Sequence, residues 1–162
     1  MEIERKWLTN GWPDAVPVRT LYMQQGYVTT APAVRIRSHQ EQGKQTSYIL
    51  CFKGDGGLSR KEIETEISAE LFEQLKDFIG KPMIAKEQRR YALANGLVLE
   101  ANLVDEGLDS EFYYAEVEFE SEEQALNWQP DEWLKEYLVH EVTTEKGQSM
   151  AEYWNSTRLS TF

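Results

Sequence analysis

The chain has 162 residues, 41% of them hydrophobic and 28% charged, which is the composition of one globular domain with an apolar core. Its 28 acidic residues against 17 lysines and arginines give a formal net charge of −11, which repels a polyanion at long range and argues against nucleic acid or an anionic membrane as partner. One cysteine and two histidines exclude an intramolecular disulfide framework and a four-ligand zinc site built from nitrogen and sulfur donors alone.

The opening MEIERKW carries charge where a signal peptide needs an apolar run, and no stretch approaches the ~18 apolar residues of a membrane span, so the cytoplasm is the expected compartment. Alternating apolar and polar residues predict strands at 2–8, 19–28, 33–39 and 46–53, with turns at Glu41–Lys44 and Gly54–Gly57. A fifth strand at 60–67 leads to a helix that Ser68 caps and Gly80 ends, striped by Leu71, Phe72, Leu75, Phe78 and Ile79. Strands at 86–94 and 97–104 flank Asn95-Gly96, a strong hairpin signal, and an eighth strand covers 112–120. Ser121 with Gln124 forms the capping box of a short helix. Trp133, Leu134, Tyr137 and Leu138 stripe another helix after Pro130, and a last one is predicted at 147–157. Short turns between successive strands make neighbours antiparallel. The expected fold is mainly β: one domain over 1–162, an eight-stranded antiparallel barrel with flanking helices and a C-terminal helix.

The charges share faces. In a strand, residues two apart point the same way. Glu2, Glu4 and Lys6 lie opposite Ile3 and Trp7; Arg35 and Arg37 alternate with Val34 and Ile36; Lys53 lies with Cys51. Glu62, Glu64 and Glu66 alternate with Ile63 and Ile67, Arg90 lies opposite Tyr91, and Glu100 and Asn102 alternate with Leu99, Ala101 and Leu103. Glu116, Glu118 and Glu120 alternate with Val117 and Phe119. A solvated outer face explains any one of these strands. Yet whole strands carry one sign, and like charges on one face repel unless opposite charges sit among them. A charged lumen inside an apolar exterior meets that condition. Carboxylates on some staves suit Mg²⁺ or Mn²⁺, and lysines and arginines on others suit phosphate oxygens.

Glu2-Ile3-Glu4-Arg5-Lys6 resembles the ExExK signature of the CYTH superfamily, the triphosphate tunnel metalloenzymes. The resemblance continues in order through Gln25-Gly26-Tyr27, Arg35-x-Arg37, Lys53, Leu58-Ser59-Arg60, Glu62-x-Glu64, Arg90-Tyr91, Glu116-x-Glu118, Glu141-Val142-Thr143 and Tyr153-x-Asn155. It implies an eight-stranded tunnel and metal-dependent hydrolysis of inorganic tripolyphosphate, thiamine triphosphate or a nucleoside triphosphate. By the same resemblance Glu2, Glu4, Glu116 and Glu118 hold the metal, and Lys6, Arg35, Arg37, Lys53 and Arg90 grip the triphosphate. Lys6, Glu62 and Glu64 are the catalytic candidates, the two glutamates binding a second metal or orienting water. The implied partner is a small triphosphate, with no nucleic acid, no membrane and a homodimer left open. The alternatives are a class IV-type adenylate cyclase and a triphosphate-binding module with little turnover.

The chain departs from the pattern where members carry a lysine, an aspartate, a lysine and an arginine: here Gln88, Asn102, His140 and Glu152 stand instead. Lys86 lies near the first of these. Cys51 is expected to fill the wall, His140 to sit at the surface, and Asp105, Glu106, Asp109 and Glu111 to form a solvated loop.

Overall fold

A computed structural model describes residues 1–159. Its strands are β1 (Glu2–Thr9), β2 (Arg19–Thr30), β3 (Ala33–Glu41), β4 (Ser47–Lys53), β5 (Ser59–Arg60), β6 (Glu62–Glu66), β7 (Ile84–Ala92), β8 (Val98–Val104), β9 (Phe112–Glu118) and β10 (His140–Glu141). Three helices join them: α1 (Ala69–Ile79), α2 (Glu122–Asn127) and α3 (Met150–Trp154). Every strand pair is antiparallel, in the order β10-β1-β9-β8-β7-β2-β3-β4-β6.

The ring closes through the predicted fifth strand, which breaks at Lys61. Its second half, β6, pairs with β4, while its first half, β5, pairs with β1 through Glu2–Arg60 and Ile3–Ser59. At the break Gly54 N–H donates to the Lys61 carbonyl at 2.8 Å, and Glu4 N–H donates to the Leu58 carbonyl at 3.1 Å. One stave thus passes its hydrogen bonds from one neighbour to the other. Counting β5 and β6 together gives eight staves, the number the sequence predicts, in a nearly closed antiparallel barrel.

Local chemistry sets the connections. Asn95 (φ 64°) and Gly96 (φ 75°) both take the left-handed conformation that a tight β7–β8 hairpin needs. Ser68 caps α1 by accepting from Leu71 N–H, and Gly80 ends it at φ 67°. Ser121 accepts from Gln124 N–H, while the Gln124 side chain accepts from Glu120 N–H, one residue before the position a standard capping box uses.

The apolar core lies outside the barrel, under the helices. Trp7, Leu99, Ala101, Ala115 and Val117 face outward and are covered by Ala125 of α2, Trp128, Leu134 and Leu138. On another side Phe72 of α1 packs on Tyr48 of β4, ring centroids 5.0 Å apart. One end of the interior is apolar as well: Tyr27, Ile84, Val104 and Tyr114 meet Met150 and Trp154 of α3, which plugs it.

Three expectations change. The helix after Pro130 is a single 3-10 turn, Glu132–Leu134. Asp131 accepts from Ala94 N–H and the Tyr137 hydroxyl donates to the Gly11 carbonyl, so both ends are tied to the barrel while Leu134 and Leu138 anchor the middle. The last helix shortens to α3 followed by a wider π-type turn, Asn155–Leu159. Asp105 is buried, not solvated: Arg158 donates to both its oxygens at 2.7 and 3.2 Å, and Tyr153 also donates to it. Arg158 further donates to the carbonyls of Pro82 and Met83 at 3.0 Å each, pinning the Asn155–Leu159 turn to the barrel. His140 is exposed on β10, as expected.

The Asp105–Arg158 pair gives a stability prediction. Asp105→Asn leaves a buried guanidinium without its counter-charge and is expected to lower the urea unfolding free energy by about 3 kcal/mol. A loss below about 1 kcal/mol, the value of an exposed pair, would contradict a structural role.

Candidate functional site

A cavity of about 750 Å³ occupies the barrel interior. Of the residues singled out from the sequence, Glu2, Glu4, Lys6, Arg35, Arg37, Lys53, Arg90, Glu116 and Glu118 all line it. They come from β1, β3, β4, β7 and β9, and strand alternation alone puts them inside. The lumen also holds Arg60, Lys86, Gln88, Glu100 and Glu152, which the sequence reading left out of the site. Glu62 and Glu64 lie outside the cavity lining. Glu62 turns to Lys53 at 3.4 Å, and Glu64 is exposed, its carboxylate grouped with Glu62 and the Cys51 thiol within 4.8 Å.

Acids and bases divide by wall. Glu4 is opposite Glu118 across β1–β9, Lys6 is opposite Glu116, and Glu100 is opposite Glu116 across β8–β9. This carboxylate wall is only partly neutralised. Lys53 donates to both Glu2 oxygens at 3.0 and 3.3 Å, and Arg60 lies 3.7 Å from Glu2 and 3.5 Å from Glu4. Arg90 lies 3.4 Å from Glu100 and donates to Gln88 at 2.9 Å. Lys6 donates to the Gln148 carbonyl and stands 4.4 Å from the centre of the Tyr114 ring. Among the described residues, no carboxylate lies within ion-pair distance of Arg35, Arg37 or Lys86. The Nε atoms of Arg35 and Arg37 are buried with no hydrogen-bond acceptor.

Titration follows these surroundings. Burial, the Glu116 charge and a hydrogen bond to Glu116 hold Glu4 well above the carboxylate range. At Glu116 burial acts in the same sense, but Lys6 and the hydrogen bond from Glu4 outweigh it and bring the group to about 2. Within this pair the surroundings favour a shared proton on Glu4 and the charge on Glu116. Burial and Glu116 also raise Glu100, and burial with Glu2 raises Glu118. Burial, with Arg35 and Arg37 beside it, pushes Lys86 well below the lysine range, and burial with Arg35 lowers Arg37. The carboxylate wall is thus only partly balanced by Lys53, Arg60 and Lys6, and Arg35, Arg37 and Lys86 have no carboxylate within ion-pair distance among the described residues.

The fit to a cation follows from this donor set. The acidic wall offers only oxygen ligands, which suit a hard divalent cation, and the proton held between Glu4 and Glu116 is one that such a cation displaces. The basic wall suits an anion with several oxygens.

Three of the missed residues, Lys86, Gln88 and Glu100, had a signal. Lys86, Gln88 and Arg90 share one face of β7, and Glu100 and Asn102 share one face of β8, so alternation places all five inside. Gln88 donates to Asn102 at 3.0 Å as a neutral amide pair.

Comparison with known proteins agrees with this geometry. Residues 1–149 match the CYTH domain family. An inorganic triphosphatase of Nitrosomonas europaea is 37% identical over 150 residues, covering 90% of this chain and 91% of the relative. A crystal structure of an inorganic triphosphatase superposes with a TM-score of 0.60 at 27% identity, covering 94% of this chain and 93% of that one. A putative adenylyl cyclase from Hippeastrum, described as having a dominant triphosphatase activity, shares the fold at 16% identity with a TM-score of 0.54, covering 78% of this chain and 83% of that one.

The shared proton predicts a pH dependence for the metal-free protein. Below pH 4.5 unfolded Glu4 is protonated, and above it unfolded Glu4 ionises while folded Glu4 keeps its proton. Stability from this residue is therefore lost as pH rises above 4.5. Glu116 acts oppositely, adding stability as pH rises from about 2 towards 4.5. Glu4→Gln is expected to raise the apo melting temperature at pH 8 and to flatten the decline above pH 5. An apo variant that melts lower than wild type at pH 8 would contradict the shared proton.

Proposed function

The chain belongs to the CYTH domain family, and from that premise we propose that it hydrolyses a linear triphosphate, inorganic tripolyphosphate first, inside the barrel with the help of a divalent cation. The observation that carries this reading is the row of cations without carboxylate partners, Arg35, Arg37 and Lys86, facing an under-neutralised carboxylate wall across one cavity. An anion alone would satisfy one wall and a cation alone the other, whereas a metal-bound polyphosphate satisfies both.

Phosphoanhydride hydrolysis asks little covalent work of a protein. Water adds to a terminal phosphorus, the bridging P–O bond breaks, and orthophosphate and pyrophosphate leave. The protein supplies position and charge. Bound to Glu2, Glu4, Glu116 and Glu118, Mg²⁺ or Mn²⁺ would neutralise charge developing on the phosphoryl oxygens and favour ionisation of the attacking water. Arg35 and Arg37 project from one strand at alternate positions, ~6.6 Å apart, which suits neighbouring phosphoryl groups of one chain. Their planar forks fix its orientation. Lys6 reaches the chain by leaving the Gln148 carbonyl, and Lys53 and Arg90 exchange a carboxylate partner for phosphate oxygens. Glu116, kept ionised by Lys6, is a carboxylate that can take a cation without first losing a proton. Glu62 holds Lys53 in place and so acts as a positioning residue, and Glu64 supports the same edge from outside the lining.

No helix among the described residues is long and apolar enough to cross a membrane.

The test is purified protein incubated with tripolyphosphate, thiamine triphosphate or ATP, with Mg²⁺, Mn²⁺ or chelator, assayed for orthophosphate and cyclic AMP. Orthophosphate release from tripolyphosphate, lost on chelation and in Glu4→Gln and Glu118→Gln, is expected. Cyclic AMP as the main product, or turnover that survives chelation, would contradict the proposal. Arg37→Ala is expected to weaken tripolyphosphate binding by ~1.5–3 kcal/mol, with Arg37→Lys intermediate because it keeps the charge and loses the fork. Wild-type affinity in Arg37→Lys would mean that Arg37 merely neutralises the lumen.

A further inference from the structure

Lys86 is buried on the inner face of β7, where it has one hydrogen-bond acceptor, the Tyr114 hydroxyl at 2.9 Å. An ammonium has three donors, so two remain for a ligand. Its cross-strand neighbours are Met23 on β2 and Val104 on β8, neither of which balances its charge. The charges that bear on it most are Arg35 and Arg37, both of its own sign. A buried ammonium beside two guanidiniums is costly unless an anion joins them. Further along the same wall the balance is different: Gln88 and Asn102 pair as neutral amides, and Arg90 already faces Glu100. The unmatched positive charge is therefore concentrated at the Lys86 end. Beyond it the interior turns apolar, with Ile84, Tyr27 and the α3 residues Met150 and Trp154 filling the plugged end.

We propose that Lys86 and Arg35 form a terminal clamp that takes the unsubstituted end phosphoryl group of a linear polyphosphate. This rests on the triphosphate reading and adds to it which part of the substrate the closed end selects. A terminal phosphoryl carries close to two negative charges at neutral pH and three free oxygens, whereas an internal one carries one charge and two. Only the terminal group matches two or three cations at a place where the chain cannot continue into the apolar plug. A ring of phosphates, or a chain substituted at both ends, offers no such group.

The experiment is calorimetric titration of linear tripolyphosphate and cyclic trimetaphosphate, which has three phosphorus atoms and no end, into wild type and Lys86→Met. Wild type is expected to prefer the linear ligand. Lys86→Met is expected to weaken the linear ligand about 10- to 100-fold while leaving the cyclic one within about 2-fold. Its unliganded melting temperature should not fall, because a buried uncompensated charge is removed. Lys86→Gln, which keeps a donor for Tyr114, gives the same readout should the methionine variant not fold. Unchanged affinity of Lys86→Met for the linear ligand overturns the inference while leaving the triphosphate reading intact. Equal weakening of both ligands also overturns it, because Lys86 would then act through its field alone. Wild type that binds neither ligand overturns the triphosphate reading and this inference with it.

Discussion

Like charges crowded into one low-dielectric space are the constraint on which the rest of this structure depends. Carboxylates on β1, β8 and β9 face one another, and the response is a Glu4 carboxyl pushed well above its ordinary range while Lys6 and Glu4 hold Glu116 below it. Cations on β3 and β7 face one another too, and the response there is a lysine held well below its ordinary range. Neither arrangement favours folding in the unliganded state. The stabilisation that tolerates it comes from outside the barrel, where Trp7, Leu99 and Val117 pack under α2 and the Trp128–Leu138 segment.

Closure of the sheet makes such a lumen attainable. An open sheet would let water reach both faces and screen the charges. Here the stave broken at Lys61 joins β4 to β1, and α3 fills one end with Met150 and Trp154. The plug is itself held by a buried ion pair, Asp105–Arg158, whose hydroxyl partner Tyr153 lies on the same helix. Fixed walls and a fixed end preorganise the charges, so binding energy need not be spent on ordering them.

The parts legible in the sequence are those with local periodicity. Alternation places Glu2, Glu4, Lys6, Arg35, Arg37, Lys53, Arg90, Glu116 and Glu118 inside, and the structure brings them to one cavity. The same rule points to Lys86 and Glu100, which lie two residues from the pattern positions occupied by Gln88 and Asn102 and so fall outside the family motifs. Alternation also put Glu62 and Glu64 with the lumen set, and they pair with Lys53 and Cys51 across β4–β6 at the edge of the cavity, just outside its lining. The break at Lys61 answers a closure partner far away in sequence, Arg60 pairing with Glu2 and Ser59 with Ile3, which no local pattern reports. Asp105 read as one acid of a polar loop because its counter-charge, Arg158, lies 53 residues further on. The helix expected near Trp133 had the right stripe, but anchors at Asp131 and Tyr137 draw the segment along the barrel instead.

The most direct test of the account is diffraction from crystals grown with Mn²⁺ and tripolyphosphate, with anomalous scattering locating the metal. The account predicts an anomalous peak among Glu2, Glu4, Glu116 and Glu118, and a linear phosphate chain running from it along Arg37 and Arg35 to Lys86. A metal bound elsewhere, or phosphate density confined to the outer surface with the lumen holding only water, would contradict it.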